Sequence, residues 1–280
     1  MTSFFLTVWL SLGVAMFFHP AVSAAQETQK EEGVGVFEKA AQANPKDAGA
    51  WRDFGIALAK AGRMDEALPA LRKAVDLQPS DAGLWFKLGT VQERMGRFQE
   101  AVESYEKAVA ADPGHADACF NLAILKLQFG KGGEAAKNGR AYLNLKGWQD
   151  AGALYMVLVC HFGFRQAGED EAAGEIIGEA VQKGDAAAWP FPVVRCLKGD
   201  LDGQELIKTA EGRDKQTEAR TYLGLAAMMD GQKKAAGDYF RWVQKEGDRA
   251  LFEYRFATAR LKELDNEVSS PWDYRKLKSR

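Results

Sequence analysis

Histidine and cysteine are scarce in this chain, three of each among 280 residues, and their scarcity removes much of the chemistry a sequence can carry. No CxxC pair occurs, so neither zinc binding nor thioredoxin-like exchange is indicated. The chain also lacks a GxSxG elbow, an HExxH helix and a phosphate-cradling GxxxxGK[ST] loop. Charge of one sign is missing too: 37 basic against 39 acidic residues leave a net charge of −2, which gives nucleic acid no electrostatic foothold. Outside an apolar leader that holds His19, only His115 and His161 remain, in different segments of the chain. No metal, no cofactor and no enzyme are expected.

One long apolar run is present, residues 4–18, followed by His19-Pro20 and then AlaValSerAlaAla. Small residues at Val22 or Ser23 and at Ala24 or Ala25 fit cleavage after either alanine, so residues 1–25 read as a signal peptide. The run is short for a span of about 20 residues, although the absence of Lys or Arg before it keeps an uncleaved N-terminal membrane anchor as the alternative. The expected location is the periplasm or the cell exterior. At the other end, residues 265–280 finish in the basic run Tyr274–Arg280, read as a solvated tail with weak contact to anionic membrane or wall polymer as the sharper alternative.

What the chain does have is a 34-residue beat. Trp51, Gly55, Gly62, Ala67, Leu71, Ala74 and Pro79 recur as Trp85, Gly89, Gly96, Ala101, Tyr105, Ala108 and Pro113. Gly55 and Gly89 fall inside a first helix, where a side chain would block the neighbouring helix. Gly62 and Gly96 fall where a left-handed residue closes that helix. Ala67 and Ala101 let the second helix lie close, and the prolines stop it. These residues at this spacing resemble the tetratricopeptide repeat, a helix–turn–helix unit stacked into a right-handed superhelix. The resemblance implies an all-α solenoid that holds other proteins rather than transforming small molecules.

The register continues through Ala116, Leu122, Gly130 and Ala135, although Gly139 and Tyr142 break it, and the glycines at 130, 132, 133, 139 and 147 mark the expected weak point in stacking. A unit follows from Ala151 through Gly168, Ala173, Ile177 and Ala180, and a last clear one at Leu223, Gly224, Gly231, Ala236 and Phe240. Residues 250–264 read as a closing helix. Between these units the two prolines of TrpProPheProValVal are expected to delay any helix until about Val193. The organisation is therefore a leader (1–25), an N-terminal helix (26–47), three repeats (48–149), degenerate repeats with the closing helix (150–264) and the tail (265–280).

The segments WPFPVVRCLKGDL, RTYLGLAAMMDGQKKAAGDYF and EYRFATARL, within 189–264, are similar to the C-terminal half of the NlpI family of bacterial envelope lipoproteins. That resemblance implies a scaffold for peptidoglycan hydrolases and a processing protease, dimeric through N-terminal helices. No cysteine ends the leader here, so the family's lipid anchor cannot form.

In the repeat, the fifth, ninth and twelfth residues of each first helix face the concave groove. They select Arg52 and Ile56, then Phe86, Thr90 and Glu93, then Phe120 and Ile124, then Tyr155 and Phe162. An apolar, aromatic-rich wall of this kind suits an amphipathic helix or an extended apolar peptide. The two-carboxylate clamp known in the repeat family is not expected, because Arg52 and Ile56 stand where it needs Lys and Asn. Two other uses compete. Residues 31–44, with Val34, Phe37, Ala40 and Ala41, form an apolar-faced helix that could pair in a homodimer, and the same architecture serves homo-oligomeric assembly and secretion or chaperone-type subunits. An enzyme in the irregular 184–215 stretch would rest on Asp185, Asp200, Asp202 and Glu205, with no base beside them. Cys119, Cys160 and Cys196 sit among apolar residues and read as buried thiols, with a Cys160–Cys196 bridge as the alternative.

Overall fold

The computed structural model describes residues 33–266. The expected leader, residues 26–32 and the tail beyond 266 lie outside the described residues. Regular structure among the described residues is wholly helical, in fourteen helices. The chain divides into two compact units, residues 1–78 and 79–280. The first holds α1 (33–43), α2 (Ala48–Lys60) and α3 (Met64–Leu77). The second holds α4 (Ala82–Arg94), α5 (Phe98–Ala111), α6 (Ala116–Gln128), α7 (Gly132–Lys146), α8 (Ala153–Ala167), α9 (Asp170–Lys183), α10 (Phe191–Lys198), α11 (Gly203–Thr209), α12 (Gly212–Met229), α13 (Lys233–Glu246) and α14 (Phe252–Asp265).

Hairpins pair α2 with α3, α4 with α5, α6 with α7, α8 with α9 and α12 with α13. In the second unit α8 also packs beside α6 and α12, and α12 beside α14, so first helices form an inner row. The hairpins are all-α solenoid units of tetratricopeptide type, and the repeated residues do the physical work expected of them. A methyl built on Gly55 would lie 2.7 Å from Leu71, one on Gly89 2.7 Å from Tyr105, and one on Gly224 2.3 Å from Phe240. Gly62, Gly96, Gly130, Gly168 and Gly231 all close a helix with positive φ. The indole N–H groups of Trp51 and Trp85 donate to the Pro45 and Pro79 carbonyls at 3.1 and 2.8 Å, tying each first helix to the turn before it.

Three expectations need correction. The glycine-rich 130–147 stretch is no break in the second unit. It forms α7, whose Gly132 and Gly139 let α8 approach so closely that added methyls would meet the Gly163 carbonyl at 2.3 Å and the Cys160 sulfur at 2.6 Å. One core runs from Cys119 to Leu261. Helix α10 begins at Phe191 and not near Val193, because Pro192 occupies its first turn, where the missing N–H has no intrahelical partner to lose. On α1, Val34 and Ala41 are buried, whereas Ala40 is exposed and Phe37 is 40% exposed, so the covered face is narrower than the apolar pattern. No helix among the described residues is long and apolar enough to cross a membrane.

Two glycines of the second unit should respond oppositely to the same substitution. Gly224→Ala must push the buried Phe240 ring aside and should cost about 1–3 kcal/mol. Gly174→Ala, within α9 and with nothing within 4 Å of the new methyl, should gain up to about 1 kcal/mol from helix propensity. Chemical denaturation of both variants measures this, and equal effects would show that Gly224 is not a packing contact.

Candidate protein-binding groove

Phe86, Phe120 and Tyr155 stand on α4, α6 and α8, the first helices of successive hairpins, and each is half-buried. The two phenylalanine rings rest on tyrosines of the second helices of their own hairpins. Phe86 packs on Tyr105 (5.7 Å between centroids) and His115 (4.8 Å), and Phe120 on Tyr142 (5.2 Å). Ile124 is half-buried among them, packed against the main core. The Thr90 hydroxyl donates to the Phe86 carbonyl at 2.9 Å. Glu93 accepts from the Tyr105 hydroxyl at 3.0 Å, and that hydroxyl accepts from the Asn121 amide at 3.1 Å.

Six of the nine sequence-derived groove residues are thus half-exposed in the second unit. Phe162 is not one of them. It is 0% exposed and stacks on Tyr222 at 6.0 Å, because α8 is enclosed by α6, α7, α9 and α12 and has no open face at that turn. Arg52 and Ile56 belong to the first unit. There Arg52 pairs with Asp53 at 2.9 Å, and Ile56 lines a hollow of about 500 Å³ with Phe37, Ala57 and Ala61.

Sequence reading missed a buried acidic pair in the second unit. Glu218 on α12 accepts from the Trp189 indole at 2.7 Å and the Tyr155 hydroxyl at 3.4 Å. Glu253, in the first turn of α14, accepts from the Tyr222 hydroxyl at 3.0 Å. Both carboxyls are buried. Burial, reinforced by Glu218, pushes Glu253 up to about 8, and burial also raises Glu218. Each serves as a hydrogen-bond acceptor. The only sequence signal was a glutamate at a buried helical position, and its partners lie 29 to 63 residues away.

The remaining polar candidates go to local structure. Asp202 and Glu205 form a capping box on α11, Asp185 accepts from the Ala187 N–H, and Asp200 pairs with Lys198. His115 caps α6. Cys119 follows it by one helical turn but is buried, and no group of three metal-binding side chains occurs among the described residues. His161 is buried with Nδ1 2.9 Å from the Ala173 carbonyl oxygen, and burial pulls it down to about 4. All three cysteines are free, and burial pushes the Cys160 thiol up to about 12, far from a reactive thiolate.

Helix α14 adds a wall that the groove positions did not include. A cleft of about 630 Å³ lies between Phe98 and Gln128 on one side and Tyr254, Arg255, Thr258 and Leu261 of α14 on the other.

This architecture is a helical repeat protein built for contact between proteins. Residues 46–114 match one tetratricopeptide repeat model and residues 93–137 another, so the chain carries tetratricopeptide repeats. No curated protein sequence matches it. Among solved structures, a tetratricopeptide repeat protein from Parabacteroides merdae ATCC 43184 is 14% identical, covering 89% of this chain and 96% of that one with a TM-score of 0.55; it shares the fold. Two MamA structures align at TM-scores of 0.48. One is 17% identical over 60% of this chain and 95% of its own, and the other, from AMB-1, is 21% identical over 58% and 87%.

The buried pair sets the pH dependence. A carboxyl with a raised pKa holds its proton more tightly folded than unfolded, so its contribution to stability is lost as pH rises from the ordinary carboxylate range through about 8. His161 acts in the opposite sense, but only below its ordinary 6.5. Between pH 6.5 and 8 the wild-type Tm should therefore fall. Glu253→Gln should flatten that slope and raise Tm at pH 8 by roughly 2–5 °C. An unchanged slope in the variant, followed by circular dichroism, would rule out a buried acid at this position.

Proposed function

We propose that this chain is a non-catalytic adaptor that holds a partner peptide or helix in the groove of its second unit. The observation that carries this reading is the row of half-exposed rings, Phe86, Phe120 and Tyr155, on successive first helices, with Thr90, Glu93 and Ile124 beside them. Side chains of this kind, rigid and partly desolvated, are the usual anchors of protein interfaces. The leader and the likeness to the NlpI family support a setting in the bacterial envelope, with wall hydrolases or a processing protease as partners. Affinity capture from envelope extract should lose its partners in Phe86→Ala/Phe120→Ala. Because both rings rest on tyrosines, Ile124→Lys serves as a second variant that leaves them in place. Full retention of partners by both variants, with unaltered melting, would overturn the groove as the working surface.

A second reading, homodimerisation through residues 31–44, draws on α1. Val36 is 66% and Phe37 40% exposed, and Phe37 borders the hollow that Ile56 and Ala57 line. Large apolar side chains so placed favour a covering surface. Light scattering at micromolar concentration should give a dimer mass for the wild type and a monomer mass for Phe37→Asp. A wild-type monomer would remove this reading.

A further inference from the structure

Helix α14 reaches back to the first hairpin of the second unit with Arg255. Arg255 sets its guanidinium over the Phe98 ring, 5.4 Å from the centroid, with a nitrogen 3.7 Å from a Glu93 carboxylate oxygen. The acceptor is aimed before the cation arrives, because Tyr105 donates to Glu93 at 3.0 Å and Asn121 donates to Tyr105 at 3.1 Å. A flat ring and an oriented carboxylate at one corner are what a guanidinium needs, since the ring takes its face and the carboxylate its edge. The cleft of about 630 Å³ runs on from this corner, with Phe98 and Gln128 along one wall.

The internal contact is weak. Arg255 is 47% exposed, and 3.7 Å is longer than a hydrogen-bonded ion pair, so solvent screens most of the attraction. What anchors α14 is different: Phe256, Ala257 and Leu261 are buried in the main core. Arg255 can therefore leave its corner without α14 leaving the fold.

Building on the reading of this unit as a protein-binding surface, we infer that Phe98 and Glu93 form an arginine-recognising corner, filled in the free protein by Arg255. Its external occupant is a helix of a partner protein that presents an arginine. The cleft beside the corner gives that helix its place, because Thr258 and Ala259 keep the α14 wall low opposite Phe98 and Gln128. Arg255 then acts as an internal competitor that sets the threshold for binding.

The test uses the full chain and a labelled, end-capped peptide with the sequence of residues 252–265, together with its Arg255→Gln analogue. Arg and Gln have similar helix propensity, so the two peptides differ chiefly in the guanidinium. Fluorescence anisotropy should show the arginine peptide binding Arg255→Ala protein roughly three- to tenfold tighter than wild type, because the competitor is gone. The glutamine peptide should show no such gain. Glu93→Gln protein, which keeps an acceptor for Tyr105, should lose the preference for arginine, and it carries the test alone if Arg255→Ala melts early. Equal affinities for the two peptides, or no gain in Arg255→Ala, would overturn the corner. If both peptides bind equally and both are lost in Ile124→Lys, the adaptor reading stands and the arginine inference falls. If neither peptide binds any form, the inference falls, and the capture experiment decides the adaptor reading by itself.

Discussion

Close approach of paired helices at glycine is the constraint on which the rest of this protein depends. Gly55 meets Leu71, Gly89 meets Tyr105 and Gly224 meets Phe240, always at a separation of sixteen residues. Each glycine costs its helix roughly 1 kcal/mol of propensity, and the buried large side chain that settles onto the bare backbone offsets it. The fixed separation sets the hairpin's register, and the register decides which residues of the first helix turn inward. The same device recurs with different spacing between α7 and α8, where Gly132 and Gly163 bring two backbones together and Gly139 admits Cys160. A break in the repeat pattern is therefore a second solution to one packing problem.

Several buried polar groups of the second unit are completed by partners from other elements. The Lys126 side chain is 2% exposed, yet its ammonium reaches Glu106 on α5 and Glu134 on α7, which puts a single charge at the junction of three helices. Removing either carboxylate would still leave the other, whereas an apolar residue at 126 would strand neither, because both are solvent-accessible. Tyrosine–carboxylate pairs follow the same logic. Tyr105 with Glu93, Tyr142 with Asp150, Tyr155 with Glu218 and Tyr222 with Glu253 each join groups distant in sequence or from adjoining elements. Such pairs fix direction more than they add stability, since a net hydrogen bond contributes only about 1 kcal/mol.

How much of this was legible in the sequence depends on the distance over which each feature is determined. The hairpins could be read because their determinants recur at constant offsets, and even the last unit declared itself through Gly224 and Phe240. The half-exposed rings at the fifth position were legible for the same reason. Phe162 was misplaced because helical position alone cannot say how many neighbours enclose a helix. The run from Leu154 to Phe162, nearly unbroken in apolar residues, was the available sign that α8 is covered on every side. Glu218, Trp189 and Arg255 could not be found this way at all. Arg255 meets Glu93 across more than 160 residues, and only the curvature of the second unit creates that contact.

The same curvature bears on how such a groove could discriminate. The chain's net charge is −2, too small to steer partners from afar, and physiological salt screens exposed charges beyond about 8 Å. Selection must then come from short-range geometry. In the second unit Glu93 and Glu218 accept from Tyr105 and Tyr155, so each carboxylate is held in a set direction. A ligand gains from them only if its donor arrives along that direction while its apolar face meets the rings. Rejection follows from the same rule, because a partner that covers Glu93 without supplying a donor would desolvate a carboxylate and lose more than the rings return.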